Sequence, residues 1–392
     1  MIPIAKPLLG PEEAEAASAA VLSGWVSQGP QVAAFEADFA ALTGAARACA
    51  VSNCTTALHL ALLAVGVGPG DEVITVSHSF IAGANAIRQC GATPVFVDIE
   101  PDGFNIDPSR VAEALGPRTR AILCVHQMGM PCDMAELLRL AQGFGVPVIE
   151  DAACAIGAEI RMGGDWQPVG RPMGDVVCFS FHPRKVVTTG EGGMLTTDRP
   201  ELDAAFRLWR QHGMSVSDTA RHGSPKVIFE DYPVRGYNYR MTDIQASVGR
   251  EQLKRLPGIV ARRRALAERY RAALAGIEGL TPPAEPDWAR SNWQSYCVGL
   301  ADGIDQRGVM QAMLDRGVAT RRGIMNMHQE AAQADVALRF PLPRSEAARD
   351  RSVLLPLYAQ MTDAEQDEVL EALVAALASA AGARDATLVR AV

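Results

Sequence analysis

Short apolar runs recur through the first half of the chain, at Ala46–Val51, Glu72–Val76, Thr93–Ile99, Arg120–His126, Val146–Glu150, Val176–Phe181 and Gly193–Thr197. Each is near-continuously apolar and too short for a helix, the pattern of a strand buried on both faces. Helical stretches separate most of them: Thr55–Val65, Ile81–Cys90, Pro108–Leu115 and Met134–Phe144. Two more helices come first. One is Ala- and Glu-rich, from Pro11 to Ser23; the other has Pro30 in its first turn and Phe35, Phe39 and Leu42 at helical spacing. This alternation predicts an α/β fold, a mostly parallel seven-stranded sheet flanked by helices. In such sheets ligands sit beyond the carboxyl ends of the strands.

After the last run the pattern turns helical. A helix from Glu201 to His212 leads into a polar loop, Ser215 to Asp231, and then Arg235-Gly-Tyr-Asn-Tyr-Arg240. The next helix runs from about Thr242 to Lys254, and Pro257 marks a boundary. Beyond it lie an Arg-rich helix to about Ala275, a connector with Pro282, Pro283 and Pro286, one strand-like run at Ser295–Leu300, and further helices. The last helix, Thr362 to Ala380, opens with Thr362 and Glu365 in capping-box spacing. The pattern divides the chain into a large domain (1–256), a smaller C-terminal domain (257–380) and a flexible tail (381–392).

Chemistry gathers where four runs end. After the first comes Ser52-Asn-Cys-Thr-Thr56, opening a helix. Its hydroxyls and free N–H groups suit a phosphate, although an ordinary N-cap explains the same residues. After the second comes Phe80, a ring on which a flat ligand can stack. The fifth ends in Glu150-Asp151; a buried carboxylate is costly unless something compensates it, a protonated pyridine nitrogen or a helix N-terminus among the possibilities. The sixth is followed by Lys185, with Ser180, His182, Thr188 and Thr189 around it and glycines after it. An anion cradle, a stacking ring, a buried carboxylate and a strand-end lysine are together what pyridoxal 5'-phosphate requires.

Composition narrows the setting. A net charge of -8 argues against nucleic acid or an anionic membrane as partner. No signal peptide and no bilayer-spanning run stands out. The eight cysteines form no C-x-x-C pair and show no metal-ligand spacing with histidine, so a reduced, cytoplasmic, metal-free protein is expected.

At these residues the sequence resembles the DegT/DnrJ/StrS family of pyridoxal-phosphate-dependent sugar aminotransferases, from Ile4 to about Leu377. The resemblance rests on Ser180-Phe-His-Pro-Arg-Lys185 with Thr189-Gly-Glu-Gly-Gly193, on Glu150-Asp-Ala-Ala153, and on Gly236-Tyr-Asn-Tyr-Arg240 before Ile244-Gln-Ala246. It implies the aspartate-aminotransferase fold (fold type I), with a small α+β C-terminal domain. It also implies that Lys185 binds the cofactor's aldehyde and moves protons, that Asp151 pairs with the pyridine nitrogen, and that Phe80 lies against the ring. Cys54, Thr55 and Ser180 would hold the phosphate, and Asn238 would reach the phosphate of a second subunit's cofactor in a homodimer with shared active sites. His182, Arg240, Arg322 and His328 are candidates for contact with the substrates. These would be an amino donor, L-glutamate or glutamine, and a keto sugar on a nucleotide diphosphate, with the cofactor cycling through pyridoxamine phosphate.

Three positions depart from the family pattern. Cys154 stands where members often place Gln, His or Glu toward the cofactor's phenolic oxygen, and a thiol is a weak hydrogen-bonding partner. A His-Leu-Tyr-Gly-like stretch reads His126-Gln-Met-Gly129. The run Arg321 to His328 lacks the Tyr-Pro that often precedes its histidine. The rival readings are an aminotransferase of a carbocyclic ketone, a pyridoxamine-phosphate-dependent sugar dehydratase and a non-catalytic regulator. The dehydratase would carry His at position 185, and the regulator predicts damage to the lysine, the aspartate or the cradle.

Overall fold

The structure is a computed structural model that describes residues 1–216, 221 and 224–389, with side chains as far as residue 380. Part of the expected Ser215–Asp231 loop (217–220, 222, 223) and residues 390–392 of the expected tail lie outside the described residues. The strands of the first half are β1 (Arg47–Val51), β2 (Glu72–Val76), β3 (Thr93–Val97), β4 (Thr119–Val125), β5 (Val148–Asp151), β6 (Glu159–Met162), β7 (Asp165–Pro168), β8 (Val176–Ser180) and β9 (Gly193–Thr197). Seven of them form one sheet in the order β1-β9-β8-β5-β4-β2-β3. Only β9 runs against the rest, pairing antiparallel with β8 and β1. It must, because β8 and β9 are the two arms of the hairpin that carries Lys185.

Alternation along each strand divides the core between the two faces. Val177 and Phe179 of β8 pack with Phe35, Phe39 and Phe181 on one side. Val176 and Cys178 pack on the other, against the helix Cys54–Ala64. Placing a helix on each face buries both sets of side chains, which is what keeps the strand ends in register around the site.

Four differences from the sequence reading stand out. The helix expected to stop before Pro257 runs unbroken from Asp243 to Leu274, so the boundary read at 256/257 falls inside a continuous helix. An interior proline costs roughly 3 kcal/mol, but Leu253, Leu256, Ile259 and Val260 on the same helix are all buried in the core. Burying an aliphatic side chain contributes about 1.5–3 kcal/mol, so packing overrides the breaker. The last helix, Asp363–Val389, continues past Ala380 into the expected flexible tail; the alanines of that segment favour helix. The polar strands β6 and β7 were not expected; joined through Gly163 and Gly164, both at positive φ, they pair with Ala289–Arg290 (β11) in a three-stranded sheet. Finally, the C-terminal part contains more strand than one run. Leu280–Thr281 (β10), Tyr296–Leu300 (β12), Arg321–Arg322 (β13) and Ser352–Leu355 (β14) make an antiparallel sheet in the order β10-β12-β14-β13. Its core is built on Tyr270, Tyr296 and Tyr358. No helix among the described residues is long and apolar enough to cross a membrane.

Candidate active site

Lys185 sits on a tightly bonded loop. Beyond β8 the Lys185 amide donates to His182 O at 2.8 Å, closing a turn. Thr188 Oγ1 and Thr189 N both donate to Phe181 O, at 2.8 and 3.0 Å. The Thr188 amide donates to Gln252 Oε1 on the long helix, and Val186 and Val187 plug the loop into the core. A lysine so anchored has few places to put its amine. Nζ lies 3.1 Å from Cys154 Sγ. Burial pulls the Lys185 pKa down, but Cys154 and then Asp151 more than reverse this, leaving it above the ordinary value.

Glu150 and Asp151 end β5 side by side, so they point to opposite faces of the sheet. Glu150 is fully saturated: Oε1 accepts from Met173 N (3.0 Å) and Gly174 N (2.8 Å), and Oε2 meets His126 Nε2 at 3.1 Å. His126 Nδ1 accepts from Cys132 N at 3.0 Å, so the ring N–H that faces Glu150 is the one on Nε2. This pair is a strut beneath the sheet. Asp151 faces the site with far less support: Oδ1 accepts from Ala153 N at 3.0 Å, and Cys54 Sγ stands 3.9 Å away. Burial raises the Asp151 pKa, and the Ala153 amide and the Lys185 charge only partly offset this. A carboxylate in that state favours a cationic neighbour.

The helix Cys54–Ala64 begins next to Asp151. Asn53 caps it, accepting from Thr56 N at 2.9 Å. The cap satisfies only the third amide of the helix; those of Cys54 and Thr55 and the Thr55 hydroxyl have no protein partner among the described residues. The ordinary cap therefore leaves two amides and a hydroxyl free for an anion. Gly193 of β9 backs this turn, and a Cβ there would stand 2.5 Å from the Asn53 carbonyl oxygen. Ser180 Oγ, at the end of β8, accepts from His182 N at 3.4 Å and keeps its proton to donate.

Phe80 follows β2 with 59% of its surface exposed, a large ring left mostly open to its surroundings. Asn238 is exposed, and its backbone bridges to Gln211; the same segment is bolted to the cradle by Ser52 N donating to Tyr239 O at 2.8 Å. His182 accepts from Arg184 N through Nδ1 at 3.2 Å. Arg240 is half-buried with no carboxylate partner among the described residues, whereas Arg322 is exposed and lies 3.8 Å from Glu330. His328 is engaged on both sides, Nδ1 with Ser77 Oγ at 2.6 Å and Nε2 with Glu346 Oε1 at 3.3 Å. The structure thus gathers Lys185, Asp151, Cys54, Thr55, Ser180 and Cys154 around the ends of β1, β5 and β8. It sets Phe80 and His328 at the end of β2, and Asn238 on a loop of its own.

Residues that the sequence reading passed over also shape the site. Asn292, fully buried, donates to Cys154 O and Ile156 O at 2.8 Å each and so fixes the turn that presents Cys154. Arg184 and Arg321 are exposed cations with no carboxylate partner among the described residues; burial and the Arg321 charge pull Arg184 below its ordinary value. His78, next to Ser77, donates from Nδ1 to Asn326 Oδ1 at 2.9 Å while Nε2 is buried without a partner. Burial lowers the His78 pKa to about 4, against about 6.5 in an unfolded chain. Between these values the unfolded chain binds the extra proton, so His78 costs nothing above pH 6.5 and stability falls as pH drops toward 4. We expect about 2 kcal/mol more loss between pH 7.5 and 5 in the native chain than in His78→Gln, read from urea unfolding. Equal acid slopes would refute this.

These residues fit pyridoxal phosphate on the protein's own evidence. Two unpaired amides and a hydroxyl are free for an anion, an under-supported carboxylate favours a cation, a large apolar ring is mostly exposed, and a lysine amine lies against Cys154 within electrostatic reach of Asp151. The comparisons agree. Residues 7–374 match the model of the DegT/DnrJ/EryC1/StrS aminotransferase family. The chain is 39% identical over 378 residues to the spore coat polysaccharide biosynthesis protein SpsC of Bacillus subtilis, covering 95% of this chain and 96% of that one. Among solved structures it is similar to the aminotransferase TlmJ from Streptoalloteichus hindustanus, with 36% identity, a TM-score of 0.88 and coverage of 97% and 99%. It is also similar to Spr1654 from Streptococcus pneumoniae, solved in PLP and PMP forms; the PMP form shows 27% identity, a TM-score of 0.89 and coverage of 97% and 100%.

Proposed function

Because the chain belongs to the DegT/DnrJ/EryC1/StrS aminotransferase family, and is therefore a pyridoxal-phosphate-dependent enzyme acting on small molecules, we propose its two substrates. It moves an amino group from L-glutamate, or glutamine, to the C3 or C4 ketone of a sugar carried on a nucleotide diphosphate. The observation that carries this reading is the convergence of Lys185, Asp151 and the unpaired Cys54 and Thr55 amides at neighbouring strand ends. A sugar acceptor is supported by the likeness to SpsC, which is named for polysaccharide biosynthesis. An anionic carrier is supported by Arg184, Arg321 and Arg240, three cations without carboxylate partners among the described residues.

In this reading Cys54, Thr55 and Ser180 would hold the phosphate, Phe80 would lie against the ring, Asp151 would face the ring nitrogen and Lys185 would bind the aldehyde. When bound, the cofactor supplies an electron sink for the pair left by a broken Cα–H bond. The free Lys185 amine would take the proton from the donor Cα. In the second half-reaction it delivers a proton to the sugar carbon that gains nitrogen. Asp151 would keep the ring nitrogen protonated. Cys154, against the Lys185 amine, stands on the flank of the site where only a weak hydrogen bond is available. Asn238, exposed and offered outward, completes the phosphate site of a second copy, so that a homodimer shares its two sites.

The test has two stages. Glutamate alone should convert the aldehyde form of the bound cofactor to its amine form, followed by absorbance. A panel of nucleotide-linked keto sugars should then restore the aldehyde form, with the aminated product identified by mass and NMR. Conversion by glutamate with no response to any nucleotide sugar, but with turnover of a carbocyclic ketone, would overturn the sugar assignment.

A further inference from the structure

The segment Asn326–His328 is stitched to the end of β2. His78 and Asn326 form an antiparallel bridge, and Met327 N donates to Ser77 O at 2.8 Å. The side chains complete the seam. The Asn326 amide nitrogen donates to Ser345 O and Gln329 Oε1, so its oxygen must be the acceptor for the His78 Nδ1–H. Gln127 adds a bond from its amide to His78 O.

His328 is bonded at its backbone and at both ring nitrogens. Its backbone N–H donates to Ser77 Oγ at 3.3 Å. Nε2 faces the Glu346 carboxylate, which can only accept, so Nε2 carries the ring proton. With the proton on Nε2, Nδ1 is the acceptor for the Ser77 hydroxyl at 2.6 Å. Ser77 is fully buried and the His328 side chain is only 5% exposed. Three residues on from Ser77 stands Phe80, a large apolar side chain left mostly exposed.

We propose that His328 is a positioning residue: acting through Ser77, it fixes the Ser77–Phe80 turn and thereby the ring of Phe80, and it does not touch either substrate. Both ring nitrogens are spent on protein partners, which leaves no hydrogen-bonding group for a sugar or a carboxylate. The inference rests on the reading of Phe80 as the ring that lies against the cofactor.

The test uses the full-length protein loaded with pyridoxal phosphate, measuring cofactor affinity by titration and the visible circular dichroism of the bound cofactor, which reports its orientation. His328→Ala and Ser77→Ala should each weaken affinity about five- to tenfold, the worth of one hydrogen bond, and should change the dichroic band alike. The double variant should be no worse than either single one, since both break the same link. His328→Asn, whose side-chain oxygen can replace Nδ1, should recover most of the loss, whereas His328→Gln should not. Placed on a Phe80→Leu background, His328→Ala should add nothing to the dichroic change. With cofactor saturating, KM for glutamate should stay within about twofold of native. A tenfold rise in that KM or in the KM for the acceptor with unchanged cofactor affinity would make His328 a substrate contact and overturn the proposal. So would a silent Ser77→Ala, which also serves if His328→Ala fails to fold. None of the cofactor readouts requires an acceptor, so a wrong sugar assignment would leave them intact.

Discussion

Replacing Lys185 with alanine should lower turnover by about 10⁴-fold or more and leave the protein folded. General acid–base catalysis alone contributes about 10²–10⁴-fold, and in the proposed reading this lysine is also the covalent anchor of the cofactor. Nothing on its loop can substitute. Ser180 Oγ already accepts from the His182 amide, the His182 ring is held by the Arg184 amide, and the Thr188 and Thr189 hydroxyls are tied to Phe181 O and Glu191 O. The backbone that places the lysine is held by Val186, Val187 and Gln252, none of which the substitution touches. Circular dichroism in the far ultraviolet should therefore match the native protein, and the urea midpoint should fall without loss of the fold, because the buried Asp151 loses the partly offsetting Lys185 charge. The variant should bind pyridoxal phosphate reversibly, through the Cys54 and Thr55 amides, and lose it on gel filtration. Turnover within a hundredfold of native would remove the lysine from the chemistry.

The features that could be read from the chain are those whose signal is local. The strands of the large sheet are buried on both faces, so each stands out as an apolar run, and Lys185, Asp151 and Phe80 were placed at strand ends by position alone. Thr55 and Cys54 could be placed for the same reason, since a cap and a free amide both belong to the first turn of a helix. What escaped was settled by distant packing. Pro257 signals a stop within its own window, and only the core residues brought from elsewhere explain why the helix continues. Strands β6 and β7 are polar and half-buried, and the one available cue was the Gly163-Gly164 turn. The division of labour between Glu150 and Asp151 was equally out of reach, because Met173, Gly174 and His126, which occupy Glu150, are brought to it by the fold and not by the sequence around it. His328 was a candidate for substrate contact on motif grounds, and the partners of its ring come from 251 residues upstream and 18 downstream.

Asp151→Asn should separate stability from activity. In the protein without cofactor the Asp151 carboxylate is buried beside a single amide donor, and burial raises its pKa above that of an unfolded aspartate. The sign follows from the linkage relation: at pH values above the folded pKa the folded state holds a charge that the unfolded chain carries at lower cost, so the group destabilises the fold there. Asparagine removes the charge and keeps an oxygen for the Ala153 amide, so the cofactor-free variant should melt higher than the native chain, with the gap shrinking as pH falls toward the range in which the aspartate protonates. Activity should move the opposite way. A neutral amide does not hold a pyridine nitrogen protonated, and the lost stabilisation of developing charge in a water-poor site is worth about 10²–10³-fold in rate for a single group. We therefore expect kcat to fall by at least that factor while the melting temperature without cofactor rises. If the variant were less stable without cofactor, or turned over within tenfold of native, Asp151 would be a structural cap, and the charge that drives the reaction would have to come from another residue.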